Sequence, residues 1–134
     1  MDGEFWLGLR NIHELMAGKT HTLRLKMKSG GSSYSKLYST FGVGAGPDYK
    51  LSTGRNGEAN GLWVNDGSAF STKDHGPKKN CPSTRGGGWW FSGSNCGYTN
   101  LNGQARQANY LGMYWYPIRN SHYLTETEMA FRAA

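Results

Sequence analysis

The sequence predicts an α+β fold, in which an antiparallel sheet with short helices carries a loop-rich lobe. Three observations predict it. Residues 20–28 alternate, with apolar and basic side chains taking turns from Leu23 to Lys28. Only 37% of the 134 residues are apolar, yet the chain holds 5 Trp, 8 Tyr and 5 Phe beside 20 Gly. From Ser71 to about Tyr110 the periodicity fails and turn residues dominate. A helical bundle needs more Leu and Ala and far less Gly. Disorder would explain the glycines but not the Trp and Tyr. The length suits one domain that buries a sizeable core.

The elements follow in chain order. Asn11 and Glu14 stand at capping-box spacing ahead of an apolar run, and Gly18 is placed to end that helix. Phe5, Trp6 and Leu7 read as core anchors of a short helix just before it. In residues 20–28, Leu23, Leu25 and Met27 face one way and Arg24, Lys26 and Lys28 the other, which is a half-buried antiparallel strand. Ser29-Gly30-Gly31-Ser32 is a turn. Residues 34–43 form a second strand and residues 49–53 a third. Residues 54–62 are a loop. Asn65-Asp66-Gly67 signals a tight turn between Leu62-Trp63-Val64 and Ala69-Phe70. Residues 126–132 alternate again and read as a closing strand. The sheet part then spans about 1–72 and 116–134, and the loop-rich lobe about 73–115. A loop region of roughly 40 residues is rare in a compact domain, and such regions usually carry function.

The net charge of +6 favours anions in general. The cations are dispersed, however, and read as a solvated surface. No zinc-finger spacing, aromatic-basic strand motif or basic helix points to nucleic acid. No apolar run reaches membrane-spanning length, so no membrane insertion is expected. Met1-Asp2-Gly3-Glu4 has neither the basic nor the apolar region of a signal peptide, and the chain reads as a fragment.

Cys81 and Cys96 are the only cysteines, and they flank Gly86-Gly87-Gly88-Trp89-Trp90. A disulfide there would contribute about 3 kcal/mol and imply an oxidising compartment. Two buried thiols, or half of a zinc site, are the alternatives. Zinc needs four ligands, and no Cys-x-x-Cys or His pair supplies the rest. Enzyme readings find little support. Gly42-Val43-Gly44-Ala45-Gly46 lacks the third glycine of a nucleotide fingerprint, because Pro47 stands there. His13, His21, His75 and His122 are scattered, with His13 and His21 read as structural. Asp74-His75 are chain neighbours that point apart. No serine has a nucleophile-elbow context.

Several stretches together resemble fibrinogen-like domains. Gly3-Glu4-Phe5-Trp6-Leu7-Gly8 with Ile12-His13 is similar to the opening segment of those domains at this point. Phe70-Ser71-Thr72-Lys73-Asp74, Asn80-Cys81, Gly87-Gly88-Trp89-Trp90, Cys96 and Asn100-Leu101-Asn102-Gly103 follow in the family's order. Gly112, Trp115 and Glu128-Met129 complete the set. Asp74-His75, Asn80-Cys81-Pro82 and Cys96-Gly97 look most like the angiopoietin and angiopoietin-like branch. The resemblance implies a central twisted antiparallel sheet, a binding lobe held by a Cys81–Cys96 disulfide, and a missing N-terminal lobe. It implies a secreted, extracellular, non-enzymatic recognition module.

Departures from the family pattern refine that expectation. Calcium-binding members place aspartates two and four residues after the position of Asp74, where this chain has Gly76 and Lys78. No cofactor is expected, because calcium wants six to eight oxygens. Fibrinogen's acidic pocket for a cationic amino terminus has Arg85 and Tyr110 at the matching positions, and Gly97 where a His usually follows the cysteine. An amine ligand is disfavoured, and a neutral or anionic group is favoured. Arg85, Asn95, Gly97, Tyr98, Asn109 and Tyr110 are the expected ligand-binding residues. Trp89, Trp90 and Trp115 would supply packing or stacking faces. The expected partner is a cell-surface receptor or an acetylated or anionic glycan. The alternative is an assembly module that self-associates as a homo-oligomer.

Overall fold

A computed structural model describes residues 4–54, 61–93, 96–105, 111–115 and 124–134. Alternation builds the sheet. Strands β1 (His21–Ser29), β2 (Ser32–Val43), β3 (Leu51–Ser52) and, much later, β6 (Glu126–Ala133) form one antiparallel sheet in the order β3-β2-β1-β6. Two further short strands, β4 (Thr99–Asn100) and β5 (Tyr114–Trp115), pair with each other in the lobe.

The inward face of β1 is Leu23, Leu25 and Met27, all buried. Its outward face is the basic row, and β6 answers it. Arg24 Nη2 lies 3.6 Å from Glu128 Oε1, and Lys28 Nζ lies 3.4 Å from Glu126 Oε2. Lys26 is in register with Glu128. Exposed pairs of this kind contribute about 0–1 kcal/mol each. The row is a cross-strand charge ladder, not a bare cationic face. β2 is buried only over its second half, at Tyr38, Phe41 and Val43. A register shift between His21 and Leu23 adapts the pairing there.

One hydrophobic cluster runs from the sheet into the lobe, including Leu23, Leu25, Tyr38, Leu51, Leu62, Trp89, Trp90 and Phe91. The lobe therefore shares the sheet's core. Each described histidine donates a ring N–H to a backbone carbonyl. His13 Nδ1 reaches Val43 O at 2.7 Å, His21 Nδ1 reaches Lys19 O at 2.8 Å, and His75 Nε2 reaches Pro47 O at 3.0 Å. They act as ties between segments.

Five local expectations change. Helix α1 is Leu9–Met16, with Gly8 at its N-cap and no side-chain cap bond. Asn11 sits inside the first turn and its Nδ2 donates to Leu7 O at 2.8 Å, while Glu14 pairs with Arg10 at 3.1 Å. The helix ends on Ala17 in the left-handed region. Phe5 to Leu7 are not helical, and Phe5 is 62% exposed. Trp6 still packs near Phe70 and Trp90, at ring-centroid distances of 6.0 and 6.4 Å. Gly61–Asn65 forms a 3-10 helix where a strand before a hairpin was expected. The third strand shrinks to Leu51–Ser52.

Candidate functional site

The lobe is organised around helix α2 (Cys81–Arg85) and the disulfide between Cys81 and Cys96. Pro82 suits a first turn, where its missing N–H costs nothing. Gly86 ends the helix with φ of 85°, and a Cβ there would collide with Leu111 O. Only glycine meets both conditions.

Beyond α2 the described residues of the lobe hold only the short β4–β5 pair and isolated bridges, and amide side chains satisfy several of the remaining carbonyls. Asn65 is fully buried; its Nδ2 donates to Trp90 O at 2.7 Å and its Oδ1 accepts from Thr99 Oγ1 at 3.1 Å. Asn100 Nδ2 donates to Arg85 O at 2.8 Å, and Asn102 Nδ2 donates to Gly88 O at 3.0 Å. Buried networks satisfied in this way specify one arrangement of the chain. Trp89 and Trp90 fill the space between, edge to face at 5.1 Å, and Trp90 Nε1 donates to Tyr49 O at 2.7 Å. Both are fully buried, so neither offers a stacking face.

This support ends at Cys96-Gly97-Tyr98. Cys96 has φ of 65°, uncommon for a residue with a Cβ, and Gly97 follows at φ of 83°. Tyr114 Oη donates to Gly97 O at 3.4 Å. Tyr98 stands beyond them, 59% exposed. A rigid base carrying an exposed, amphipathic ring is suited to recognition, because Tyr gains contact area at low entropy cost.

The expected ligand residues separate into three groups. Gly97 and Tyr98 lie together at this rim. Arg85 and Trp115 are buried, at 7% and 5% exposure. Arg85 closes α2 and is buried, which corrects its expected place among the accessible ligand-binding residues. Trp115 lies under the lobe beside Gly61 and cannot present a stacking face. Asn95, Asn109 and Tyr110 lie outside the described residues. Sequence reasoning missed Asn65, Asn100 and Asn102 as the lobe's struts. Their signal was chemical: amides in a stretch without ladders must bond something.

The loop before α2 does not fit a calcium ion. Asp74 is exposed, and the Thr72 hydroxyl, then its own backbone N–H, holds its carboxyl below the ordinary carboxylate value. Lys78 Nζ donates to Gly93 O at 2.7 Å, and its backbone N–H donates to Ser71 Oγ at 3.0 Å. An ammonium thus joins this loop to the disulfide loop. Among the described residues, no group of three or more His, Cys, Asp or Glu side chains could hold a metal.

The whole chain, residues 1–134, matches the family described as fibrinogen beta and gamma chains, C-terminal globular domain. The chain belongs to that family. Fibrinogen-like relatives agree with it. The chain is 36% identical to chicken (Gallus gallus) tenascin-R over 123 residues, covering 87% of this chain and 9% of that protein. It is 35% identical to rat (Rattus norvegicus) angiopoietin-2 over 146 residues, covering 98% of this chain and 29% of that protein. The fibrinogen-like globe domain of human ANGPTL6 superposes with a TM-score of 0.82 at 28% identity, covering 99% of this chain and 65% of that one. This fibrinogen-like chain therefore spans under two thirds of these relatives. The lamprey fibrin D-dimer complexed with the peptide Gly-His-Arg-Pro-amide shares the fold, with a TM-score of 0.71. The family is one of binding domains. Among the described residues of this member, no helix is long and apolar enough to cross a membrane.

Proposed function

We propose that this chain is a secreted, extracellular, non-enzymatic recognition module that binds a protein receptor or a glycan beside the Cys81–Cys96 disulfide. Gly97 and Tyr98 form the accessible part of the surface among the described residues. The observation that carries the reading is Tyr98, exposed at the end of a lobe braced by a disulfide and buried amides. The disulfide also supports an oxidising compartment. With Arg85 buried, preference for an anionic group no longer has that side chain's charge at the surface. A neutral group such as an acetyl remains well suited to a tyrosine rim and backbone N–H donors.

The test is a screen of the oxidised protein against immobilised glycans and receptor ectodomains. A ligand bound by the oxidised form and lost on selective reduction of the disulfide supports the reading. No ligand in either panel, or one whose binding ignores the disulfide, contradicts it.

A further inference from the structure

We propose that Asn65 is the positioning residue of the rim: through the Thr99 hydroxyl it fixes the register of β4, and with it the outward aim of Tyr98. Tyr98 as a contact residue rests on the recognition reading above, whereas the way it is held is read from buried side chains alone. The need for a pin comes from the ladder. Among the described residues, β4 and β5 share two residue pairs, Thr99 with Trp115 and Asn100 with Tyr114. A slip of one residue moves every side chain of a strand to the opposite face, and so short a ladder specifies its register weakly. Here a slip would exchange the places of Tyr98, 59% exposed, and Thr99, fully buried. Backbone pairing alone does not prevent it, because every residue but proline offers the same N–H and C=O. Side chains do.

β4 is gripped on both faces. Successive residues of a strand point to opposite sides. On one side, Thr99 Oγ1 donates to Asn65 Oδ1 at 3.1 Å. On the other, Asn100 Nδ2 donates to Arg85 O at 2.8 Å, and Asn100 Oδ1 accepts from the Asn102 N–H at 2.9 Å. Asn65, Thr99 and Asn100 are all fully buried. A slip would set the Tyr98 ring or the Asn100 amide in the space of a threonine and break these bonds. Buried polar atoms left without partners cost more than the bonds themselves contribute.

Asn65 differs from Asn100 in what stands behind it. Asn100 bonds to Arg85 and Asn102, both within the lobe. Asn65 is bolted to the sheet. Its own carbonyl accepts from the Ser68 N–H at 2.9 Å, Asp66 Oδ1 accepts from the Thr53 N–H at 2.8 Å, and the Gly67 N–H donates to Leu51 O at 2.7 Å. Its Nδ2 donates to Trp90 O at 2.7 Å, and Trp90 is itself tied to Tyr49 O. With the amide nitrogen committed to Trp90, the carboxamide turns its oxygen to Thr99. Asn65 thus refers β4 to the sheet, while the disulfide holds Cys96. Gly97 and Tyr98 are the two residues between these anchors.

Backbone order parameters from nuclear magnetic resonance test this with no ligand present, so failure here and failure of the recognition reading are separate results. In the unmodified chain Tyr98 should show an order parameter near the rigid value of about 0.85. Thr99→Val keeps the side chain's shape and removes its hydroxyl, and Asn65→Ala removes the acceptor. Each should drop Tyr98 below about 0.6, with β1 and β6 unchanged. Thr99→Ser keeps the hydroxyl and should keep Tyr98 rigid. Ile12→Val, a core change on α1, should lower the melting temperature and also leave Tyr98 rigid. Should Asn65→Ala not fold, the Thr99→Val and Thr99→Ser pair decides alone. A Tyr98 that is mobile in the unmodified chain, rigid in Thr99→Val, or as mobile in Thr99→Ser as in Thr99→Val overturns the proposal.

Discussion

Arg85 shows how burial changes the consequence of a substitution. It ends α2 with 7% exposure, and Asn100 holds its carbonyl at 2.8 Å. Arg85→Glu would place a carboxylate where the lobe encloses a guanidinium. Burying a carboxylate there carries a desolvation cost that the fold must absorb. The urea midpoint of Arg85→Glu should fall well below that of the unmodified chain, with Lys50→Glu, an exposed change, close to it. An unaltered midpoint for Arg85→Glu would place the side chain in solvent. The sequence made this residue look like a turn beside Gly86. A five-residue helix is too short for hydrophobic periodicity to reveal. The legible signal was Pro82 near its start and Gly86 just past its end. Asn65 misled for a related reason. Asn-Asp-Gly is turn chemistry, and a turn does form at Asp66–Gly67, but Asn65 belongs to the preceding 3-10 helix and to the buried network.

At the scale of elements, the strands were legible and the lobe was not. β1, β2 and β6 declare themselves because a half-buried sheet forces period-two alternation. Beside its short β4–β5 ladder, the lobe is braced by side-chain bonds from Asn65, Asn100, Asn102 and Lys78, and side-chain bonds impose no period. Sequence reading expected the Cys81–Cys96 disulfide, which the structure contains, but not the side-chain struts. Lys78 is the strut most open to test, because its ammonium bridges two loops at Gly93 O. Lys78→Gln should speed amide exchange around residues 91–93 and leave the β1–β6 ladder unchanged, while Lys78→Arg retains part of the protection. Millimolar calcium should not alter the melting temperature of the unmodified chain. A native-state ligand at a hundred times its Kd adds about 2.7 kcal/mol, so a real site would be obvious. A chelator-reversible rise would contradict the assignment of Lys78.

At the scale of the molecule, the two parts divide the work. The sheet's outward cations are answered by Glu126 and Glu128, so the net charge of +6 has no bare strip on β1 to act through. The proposed recognition surface lies on the lobe, whose core continues that of the sheet and whose rim carries Tyr98. Of the expected ligand residues, which the family resemblance placed beside the second cysteine, Gly97 and Tyr98 lie at the half-buried to exposed rim next to Cys96. Arg85 and Trp115 were misplaced because residue type alone does not distinguish a pocket wall from a core. The decisive measurement uses a ligand recovered by the screen and compares its affinity for the unmodified chain, Tyr98→Ala and Leu37→Ala. Leu37 is equally accessible, at 67% exposure, but lies on the outward face of the sheet opposite Arg24. Tyr98→Ala should weaken binding by about tenfold or more, as truncation of an interface tyrosine does, with the melting temperature unchanged and Leu37→Ala binding normally. Full affinity for Tyr98→Ala, or a loss confined to Leu37→Ala, would contradict a recognition surface beside Cys96.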